Sequence, residues 1–521
     1  MTRRDNSHTP DAGKKGRRVA KLPMTVLDWF GLACLLVMAV CSLILLAQLL
    51  STGMLTALLV AALIGGLVIF NGAHAIVQIP RWRNKMPKLI GGFVSLVISA
   101  VMIYGISAAD ALQTTLVNIS GKMVEKEITY VIVLKDNPAQ EIGDAIGYRF
   151  GALSNADEEN TAAVLEAVKD GLGKISTKTY DSIPLLADAL LQKEVDAIII
   201  NQGFYTLLQG SDTYANLAQE TRILFEYTTD KEVSPIVPNT TITQEPFVVY
   251  CSGIDARDTD INANSLSDVN ILAVVNPKTH QVLLLNTPRD YYLPLISEPY
   301  TGMMDKLTHA GSIGIEESMN ILGELYGVDV QYYARVNFLG LVDIVDALGG
   351  IDVYSPCFFY APSIGANYGT EWLDDQVYYF DEGMNHINGY EALAFARQRA
   401  FFEDGDEQRG KNQMAVIKGI VEKAASSQIL SSFTDLLKAI EGCFITNMHY
   451  EDMSALVKMQ LRDMSGWNIV TYAVSGEGDM DYCATYDMDL WVMQPDEDTV
   501  EIAKTLVQQV LNGQAPTLPA E

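Results

Sequence analysis

The chain opens with long apolar stretches: no Asp, Glu, Lys or Arg occurs from Trp29 to Pro80, and none from Leu89 to Ala109. A hydrocarbon core of roughly 30 Å takes about 20 helical residues. Three spans are therefore predicted, Val26 to Leu50, Leu55 to Ile79 and Leu89 to Ala108, with Ser51-Thr52-Gly53 parting the first two. Spans so closely in series do not read as a cleavable signal peptide, which is one short apolar region with a small-residue cleavage site. Beyond them the pattern becomes that of folded α/β units.

From about Gly121 to Val237 the pattern predicts a small α/β unit. It has a β-rich run Ile128 to Leu134, helices Thr161 to Leu172 and Ile183 to Leu191, and a strand Ala197 to Ile200. Asp157-Glu158-Glu159 reads as a charge cluster at a helix N-terminus. Thr228 to Glu245, polar and with prolines, reads as a linker. A second unit starts with strand Pro246 to Tyr250. Strands Asn270 to Val275 and Gln281 to Asn286 flank a tight turn and form an antiparallel hairpin. Gly323 to Asn337 and Phe338 to Leu348 have helical spacing and stop at Gly349-Gly350, before a strand Ile351 to Tyr354. Tyr332, Tyr333, Phe338 and Leu341 belong either to plain core or to a long apolar cavity.

Charge orients the whole. Arg3, Arg4, Lys14, Lys15, Arg17, Arg18 and Lys21 precede the first span, and Arg81, Arg83, Lys85 and Lys88 lie between the second and third. Both segments are expected in the cytoplasm, so the chain after about residue 109 is expected outside it. Beyond residue 88 stand 25 basic against 61 acidic residues. That excess argues against nucleic acid as a partner. The expected division is a basic cytoplasmic tail (1–25), three transmembrane helices (26–109), an accessory extracytoplasmic domain (121–237), a second extracytoplasmic domain (245–513) and a short tail (514–521). Cys34 and Cys41 read as apolar residues of the first span. Cys251, Cys357, Cys443 and Cys483 allow three pairings, of which Cys443 with Cys483 is expected, leaving the others buried and free. No cysteine or histidine spacing suggests zinc.

Candidate chemistry gathers in the second unit. If its first strand also runs antiparallel to the hairpin, one sheet edge receives Asp255, Asp268, Arg289 and Asp290. A helix Tyr390 to Arg399 carries Arg397 and Arg399, which share a face only if that helix frays. A second helix, near Glu407 to Ser426, places Arg409 and Gln413 together, four residues apart. Guanidinium groups bind phosphate oxygens in a planar fork, and carboxylates hold divalent cations. The pair suits a pyrophosphate ligand, against the plainer alternative of salt bridges to Glu403, Asp404 and Asp406.

In this order the residues resemble the LytR-CpsA-Psr (LCP) family of bacterial cell-envelope proteins. The likeness rests on Gly253-Ile254-Asp255, Ser267-Asp268-Val269, Pro288-Arg289-Asp290, Asp305-Lys306, Asp346-Ala347-Leu348-Gly349-Gly350, Ala396-Arg397-Gln398-Arg399, and Gly405-Asp406 with Arg409 and Gln413. Three spans and an accessory domain resemble its capsule-type branch. The resemblance implies an α/β catalytic domain with a central mixed sheet flanked by helices. It implies a membrane-bound phosphotransferase moving a glycopolymer, capsular polysaccharide or teichoic acid, from a polyprenyl-pyrophosphate carrier to peptidoglycan. By the same resemblance Asp255 and Asp268 would coordinate Mg²⁺ or another divalent cation, and Arg289, Arg397, Arg399 and Arg409 would hold the pyrophosphate. Asp290 would orient Arg289 or accept a proton. Lys306, Asp406 and Gln413 would stand on the substrate side. Where the family usually has Arg two residues before the second metal-site Asp, this chain has Leu266, and Arg257 is the expected substitute contact. A polyprenyl-pyrophosphate hydrolase and a non-catalytic lipid-binding sensor are the alternatives.

Overall fold

The computed structural model describes residues 24–79, 85–120, 124–154, 157–214, 216–232, 237–254, 261, 264–362, 377–402, 405–426, 436, 438–440 and 442–519. Its chain divides into two compact units, Met1–Asp110 and Ala111–Glu521.

The first unit holds helices α1 (Val26–Ser51), α2 (Ala57–Gln78) and the start of α3 (Met86–Ile119), all long and apolar enough to cross a membrane. Gly53, at a φ of 69° that favours glycine, makes the turn after α1. The third helix departs from expectation at both ends. It begins before Leu89 because Lys88, itself buried, reaches Asp28 at 2.7 Å, while Lys85 stands 3.0 Å from the same carboxylate. It runs past Ala109 because Asp110 to Ile119 contains no Gly or Pro to stop it.

The second unit contains two main sheets. The first comprises β1 (Val124–Leu134), β2 (Arg149–Leu153), β3 (Ser176–Tyr180), β4 (Ala197–Asn201) and β5 (Thr221–Glu232), in the order β3-β2-β4-β1-β5. Helix α4 (Glu158–Leu172) begins just after Asp157, with Glu158 and Glu159 in its first turn as expected. Helix α5 (Ile183–Leu191), α6 (Gln202–Gly210) and the short α7 (Leu217–Glu220) complete this region. Residues Thr228 to Glu232, expected in a linker, are instead the end of β5, paired with β1 from Ile128 back to Val124. Thr228 and Thr229 are good strand residues, and β1 supplies the partner that local polarity could not reveal.

The second sheet is the expected mixed one. Its first strands are β6 (Phe247–Ile254), β7 (Ser267–Asn276) and β8 (Gln281–Asn286), followed by a small pair, β9 (Tyr292–Pro294) and β10 (Met304–Lys306). After α8 (Leu307–Ile313) and α9 (Ile315–Tyr326) comes β11 (Tyr332–Asn337), then α10 (Phe338–Ala347). The segment Gly323 to Asn337 is thus not one helix. Gly327, at a φ of 64°, caps α9, and the β-prone Tyr332 to Val336 pair in parallel with β6. Tyr332 and Tyr333 are core residues there, whereas Phe338 and Leu341 face a cavity.

Gly349 and Gly350, both at positive φ, lead into β12 (Ile351–Ser355), β13 (Phe359–Pro362), β14 (Val377–Phe380) and β15 (Gly383–Ile387). Helices α11 (Gly389–Arg397) and α12 (Gly405–Ala425) follow, then β16 (Phe444–Thr446), α13 (Tyr450–Asp463), β17 (Asn468–Ala473), β18 (Gly476–Cys483), β19 (Met488–Pro495) and α14 (Glu497–Leu511). The order of the main sheet is β16-β11-β6-β7-β8-β17, with β11 and β17 parallel to their inner neighbours and the rest antiparallel. Both its faces are covered, which explains why β6 to β8 read as nearly continuous apolar runs. Val248, Tyr250, Leu272 and Leu285 pack toward α9 and α14. Ile271, Ala273 and Leu284 pack toward Met414 and Ile417 of α12.

The first sheet's core continues into the rest of this unit, since Tyr486 belongs to it and its hydroxyl donates to the Leu207 carbonyl. All four cysteines beyond the helices are free. The expected Cys443–Cys483 bridge is absent: the Cys443 thiol donates to Ala439 O, and Cys483 lies buried beside Asp305.

Candidate functional site

The antiparallel register of β6, β7 and β8 brings Ile254, Ser267 and Asn286 to one sheet edge, as the sequence predicts. Asp268, Arg289 and Asp290 meet there. Arg289 Nη1 donates to Asp268 Oδ1 at 2.7 Å, and its Nε lies 3.4 Å from Asp290 Oδ2. Lys306 Nζ stands 3.1 Å from Asp290 Oδ1. Asp290 is therefore bracketed by two cations, and the backbone holds it in place. Met493 N donates to the Asp290 carbonyl, and Thr308 N to that of Arg289, both at 2.8 Å. Asp255 and Arg257 lie outside the described residues.

The second half of the site comes from two helices. Asn388 caps α11 in a capping box with Glu391. A Cβ on Gly389 would run into the Val342 carbonyl, so α11 lies directly against α10. The helix stops at Arg397, and Gln398 is extended, with a ψ of 123°. This break resolves the spacing problem, because Arg397 and Arg399 then line one cavity. Gln398 Nε2 holds the bend by donating to Tyr360 O at 2.6 Å.

On α12, Arg409 and Gln413 line the same cavity. A Cβ on Gly410 would collide with the Asn286 amide, which fixes this helix on the sheet edge. Asn412 ties it to α11 through the Phe395 carbonyl at 3.1 Å. Glu403 and Asp404, the alternative partners for these arginines, lie outside the described residues, as does the side chain of Asp406.

These groups stand around a cavity of about 730 Å³ lying over one face of the main sheet. Its walls are Val269, Ala334 and Val336 from the sheet, Phe338, Leu341 and Ile344 from α10, and Leu393, Ala394, Val416 and Ile420 from α11 and α12. Cys251 is part of this wall. Burial pushes its thiol up to about 12, so it stays neutral and packs as an apolar group. An apolar cavity whose lining also carries four arginines suits an amphipathic ligand with an anionic head and a hydrocarbon tail.

Two features escaped the sequence. The Arg397 guanidinium lies 4.4 Å from the centre of the Phe338 ring, a cation–π contact that orients it. Leu266 packs against the core of the first sheet rather than facing the cavity. Its place is explained by packing, which a comparison of site residues alone could not show.

The residues suit a hard divalent cation in part. Asp268 lines the cavity beside Arg289 and offers oxygen donors of the type Mg²⁺ takes. A different set, Asp305, His309 and Cys483, is also gathered and buried. Its geometry is that of hydrogen bonding, since Asp305 Oδ1 and His309 Nδ1 are 2.5 Å apart, whereas two ligands on one tetrahedral ion would stand about 3.3 Å apart. Thr485 N and Oγ1 complete the shell of Asp305 at 2.7 and 2.6 Å. Burial alone would push the Asp305 carboxyl up, but His309 and Thr485 outweigh it and hold it below its ordinary value.

Two curated relatives are polyisoprenyl-teichoic acid–peptidoglycan teichoic acid transferases TagU. That of Bacillus licheniformis is 35% identical over 210 residues, 40% of this chain and 62% of the relative. That of Bacillus subtilis is 33% identical over 211 residues, with the same coverage. The chain thus spans somewhat under two thirds of the length of these relatives. Among solved structures, B. subtilis TagV aligns with 52% of this chain and 98% of its own, at 23% identity and a TM-score of 0.42. Protein gbs0355 from Streptococcus agalactiae aligns with 54% of this chain and 93% of its own, at 25% identity and a TM-score of 0.44. The profile of the LytR_cpsA_psr family matches residues 209–504, which include the main sheet and every described residue of the cavity, and the chain belongs to that family.

Proposed function

We propose that this protein is a membrane-anchored phosphotransferase that moves a glycopolymer from a polyprenyl-pyrophosphate carrier to peptidoglycan. One observation carries the reading: Asp268, Arg289, Arg397, Arg399, Arg409 and Gln413 line a single apolar cavity of about 730 Å³. The apolar walls suit a polyprenyl chain, and the guanidinium groups suit its pyrophosphate. The names of the TagU relatives point to teichoic acid and peptidoglycan. Teichoic acid is therefore favoured as cargo over the capsular polysaccharide expected from the helical anchor.

In this reading Arg289, Arg397, Arg399 and Arg409 bind the pyrophosphate oxygens and neutralise charge that builds on the leaving polyprenyl phosphate. Arg397 is braced by the Phe338 ring, and Arg289 by Asp268 and Asp290. Asp268, with Asp255, would hold Mg²⁺, which when bound adds positive charge at the phosphates. Asp290, lying between Arg289 and Lys306, positions both of them. Gln413 and Lys306 support the phosphate side. The acceptor sugar oxygen forms a bond to phosphorus as the phosphorus–oxygen bond to polyprenyl phosphate breaks, and the hydroxyl proton leaves to the departing polyprenyl phosphate or to water. The basic segments around the helices support a cytoplasmic N-terminus and a second unit outside.

The test uses the full chain in membranes, a polyprenyl-pyrophosphate glycan, Mg²⁺ and peptidoglycan. Covalent glycan on peptidoglycan supports transfer, with Arg397→Ala slower by on the order of 10² to 10³. Free phosphorylated glycan would point to a hydrolase. Binding without turnover, unchanged in Arg289→Ala, would point to a sensor.

A further inference from the structure

The hairpin of β13 and β14 is apolar on both faces. Phe359, Ala361 and Phe380 point inward, where they pack with Phe395 of α11 in a buried core. The opposite face carries Phe358, Tyr360 and Pro362 from one side and Val377 and Tyr379 from the other, all exposed. None of these is charged. Phe401, after α11, adds to the patch 5.4 Å from Tyr360, ring centre to ring centre. Among the four aromatic residues exposure runs from 41% for Phe401 to 68% for Tyr379. A half-exposed antiparallel pair ordinarily alternates apolar with polar, and a contiguous exposed aromatic patch marks a surface that something covers.

Two observations say what covers it. The patch runs into the cavity, because Pro362 belongs to both, Ala361 lies beside it, and Ala400 precedes Phe401. The same chain carries three helices long and apolar enough to cross a membrane, so a bilayer is always at hand. Tyrosine is also suited to the water–lipid boundary, and phenylalanine to the apolar face that an interfacial element buries. A stacking platform for sugar rings fits less well. Phe358 and Tyr379 lie near parallel, 21° apart, but Tyr360 is tilted 44° to Tyr379 and meets Phe401 edge-on at 78°, so the four rings do not form one flat open face.

We infer that the outer face of this hairpin docks into the surface of the lipid bilayer. The cavity mouth is thereby held at the interface where an amphipathic ligand with a long apolar tail resides. The inference does not depend on the transfer chemistry and would hold equally for a hydrolase or a sensor.

The test is photo-crosslinking of the full chain in phosphatidylcholine vesicles containing phosphatidylglycerol, with soluble peptidoglycan fragments present. The probe is Tyr379→p-benzoylphenylalanine, and the control is the same substitution at Ile146, exposed and outside the hairpin. Phospholipid adducts at Tyr379 should exceed those at Ile146 by about tenfold. Equal yields at the two positions, adducts to a second copy or to glycan, or no adduct would overturn the inference. In the Tyr379 probe background, Phe358→Asp should cut lipid adducts about tenfold, equivalent to about 1.4 kcal/mol, at an unchanged unfolding midpoint. An unchanged adduct yield in that variant also overturns it.

Discussion

Arg289→Ala separates two properties that most substitutions at a phosphate site confound. Arg289 neutralises Asp268 at 2.7 Å and approaches Asp290 at 3.4 Å, while Lys306 stands on the far side of Asp290. Removing the guanidinium takes one cation from beside two carboxylates. A unit charge about 4 Å away is worth about 4 kcal/mol at an effective dielectric of about 20. Both partners of the 2.7 Å pair are partly solvated, Arg289 31% and Asp268 23% exposed, which reduces the gain to about 1–2 kcal/mol. Divalent cations should then bind the free enzyme about tenfold more tightly. Turnover should move the other way, by on the order of 10² to 10³, because the contact proposed between Arg289 and phosphate is lost. Calorimetric titration of Mn²⁺ into the purified full chain, without lipid donor, reads the first effect, and the transfer assay reads the second. Arg289→Lys keeps the charge but not the fork, and should leave ion affinity near wild type while turnover still falls. Unchanged or weaker ion binding in Arg289→Ala would refute the placement of the cation at Asp268.

Other perturbations probe the surroundings. Leu341→Trp fills part of the cavity; long-chain polyprenyl phosphate should lose affinity while inorganic pyrophosphate binding stays, at a stability cost of about 1–3 kcal/mol read by denaturant unfolding. Leu266→Arg restores the family's usual residue but places a cation against the core of the first sheet; a lower unfolding midpoint with no gain in transfer is expected, and faster transfer would contradict the packing account. Asp305→Asn breaks a buried pair and should destabilise the protein by about 3–5 kcal/mol at neutral pH. The folded carboxyl of Asp305 lies below its ordinary value, so its contribution is complete above the unfolded value of about 3.9. It is lost as pH falls through the folded value. The gap between wild type and Asp305→Asn should thus narrow only below about pH 4, and a gap already closing at pH 6 would refute the assignment. Cys443 and Cys483 should both alkylate in the unfolded, unreduced chain, checked by mass spectrometry.

How far a sequence can be read depended on what each rule could see. The hairpin of β7 and β8 was legible because strand period and turn chemistry are local, and once the antiparallel order is assumed the meeting of Asp268, Arg289 and Asp290 follows. Where the outcome depended on a distant partner, local pattern failed. Thr228 to Glu232 is polar enough for a linker, yet β1 claims it. Tyr332 to Asn337 has apolar spacing compatible with a helix, yet the open edge of β6 draws it into the sheet. Lys88, read as a loop charge, is drawn into a helix by Asp28, sixty residues earlier in the chain. Arg397 and Arg399 show both sides of this. Their spacing forbids a shared helical face, so convergence requires the expected helix to Arg399 to fray, and it ends at Arg397. What holds the break open, Gln398 on the Tyr360 carbonyl and Phe338 beneath Arg397, comes from other elements. The residue types at the site were therefore legible from the sequence. The contacts that aim them were not, and substitutions at those contacts, Gln398→Ala above all, should lower turnover without removing any of the groups proposed to meet phosphate. If Gln398→Ala transfers glycan at the wild-type rate, the bend after α11 is held by something other than this hydrogen bond.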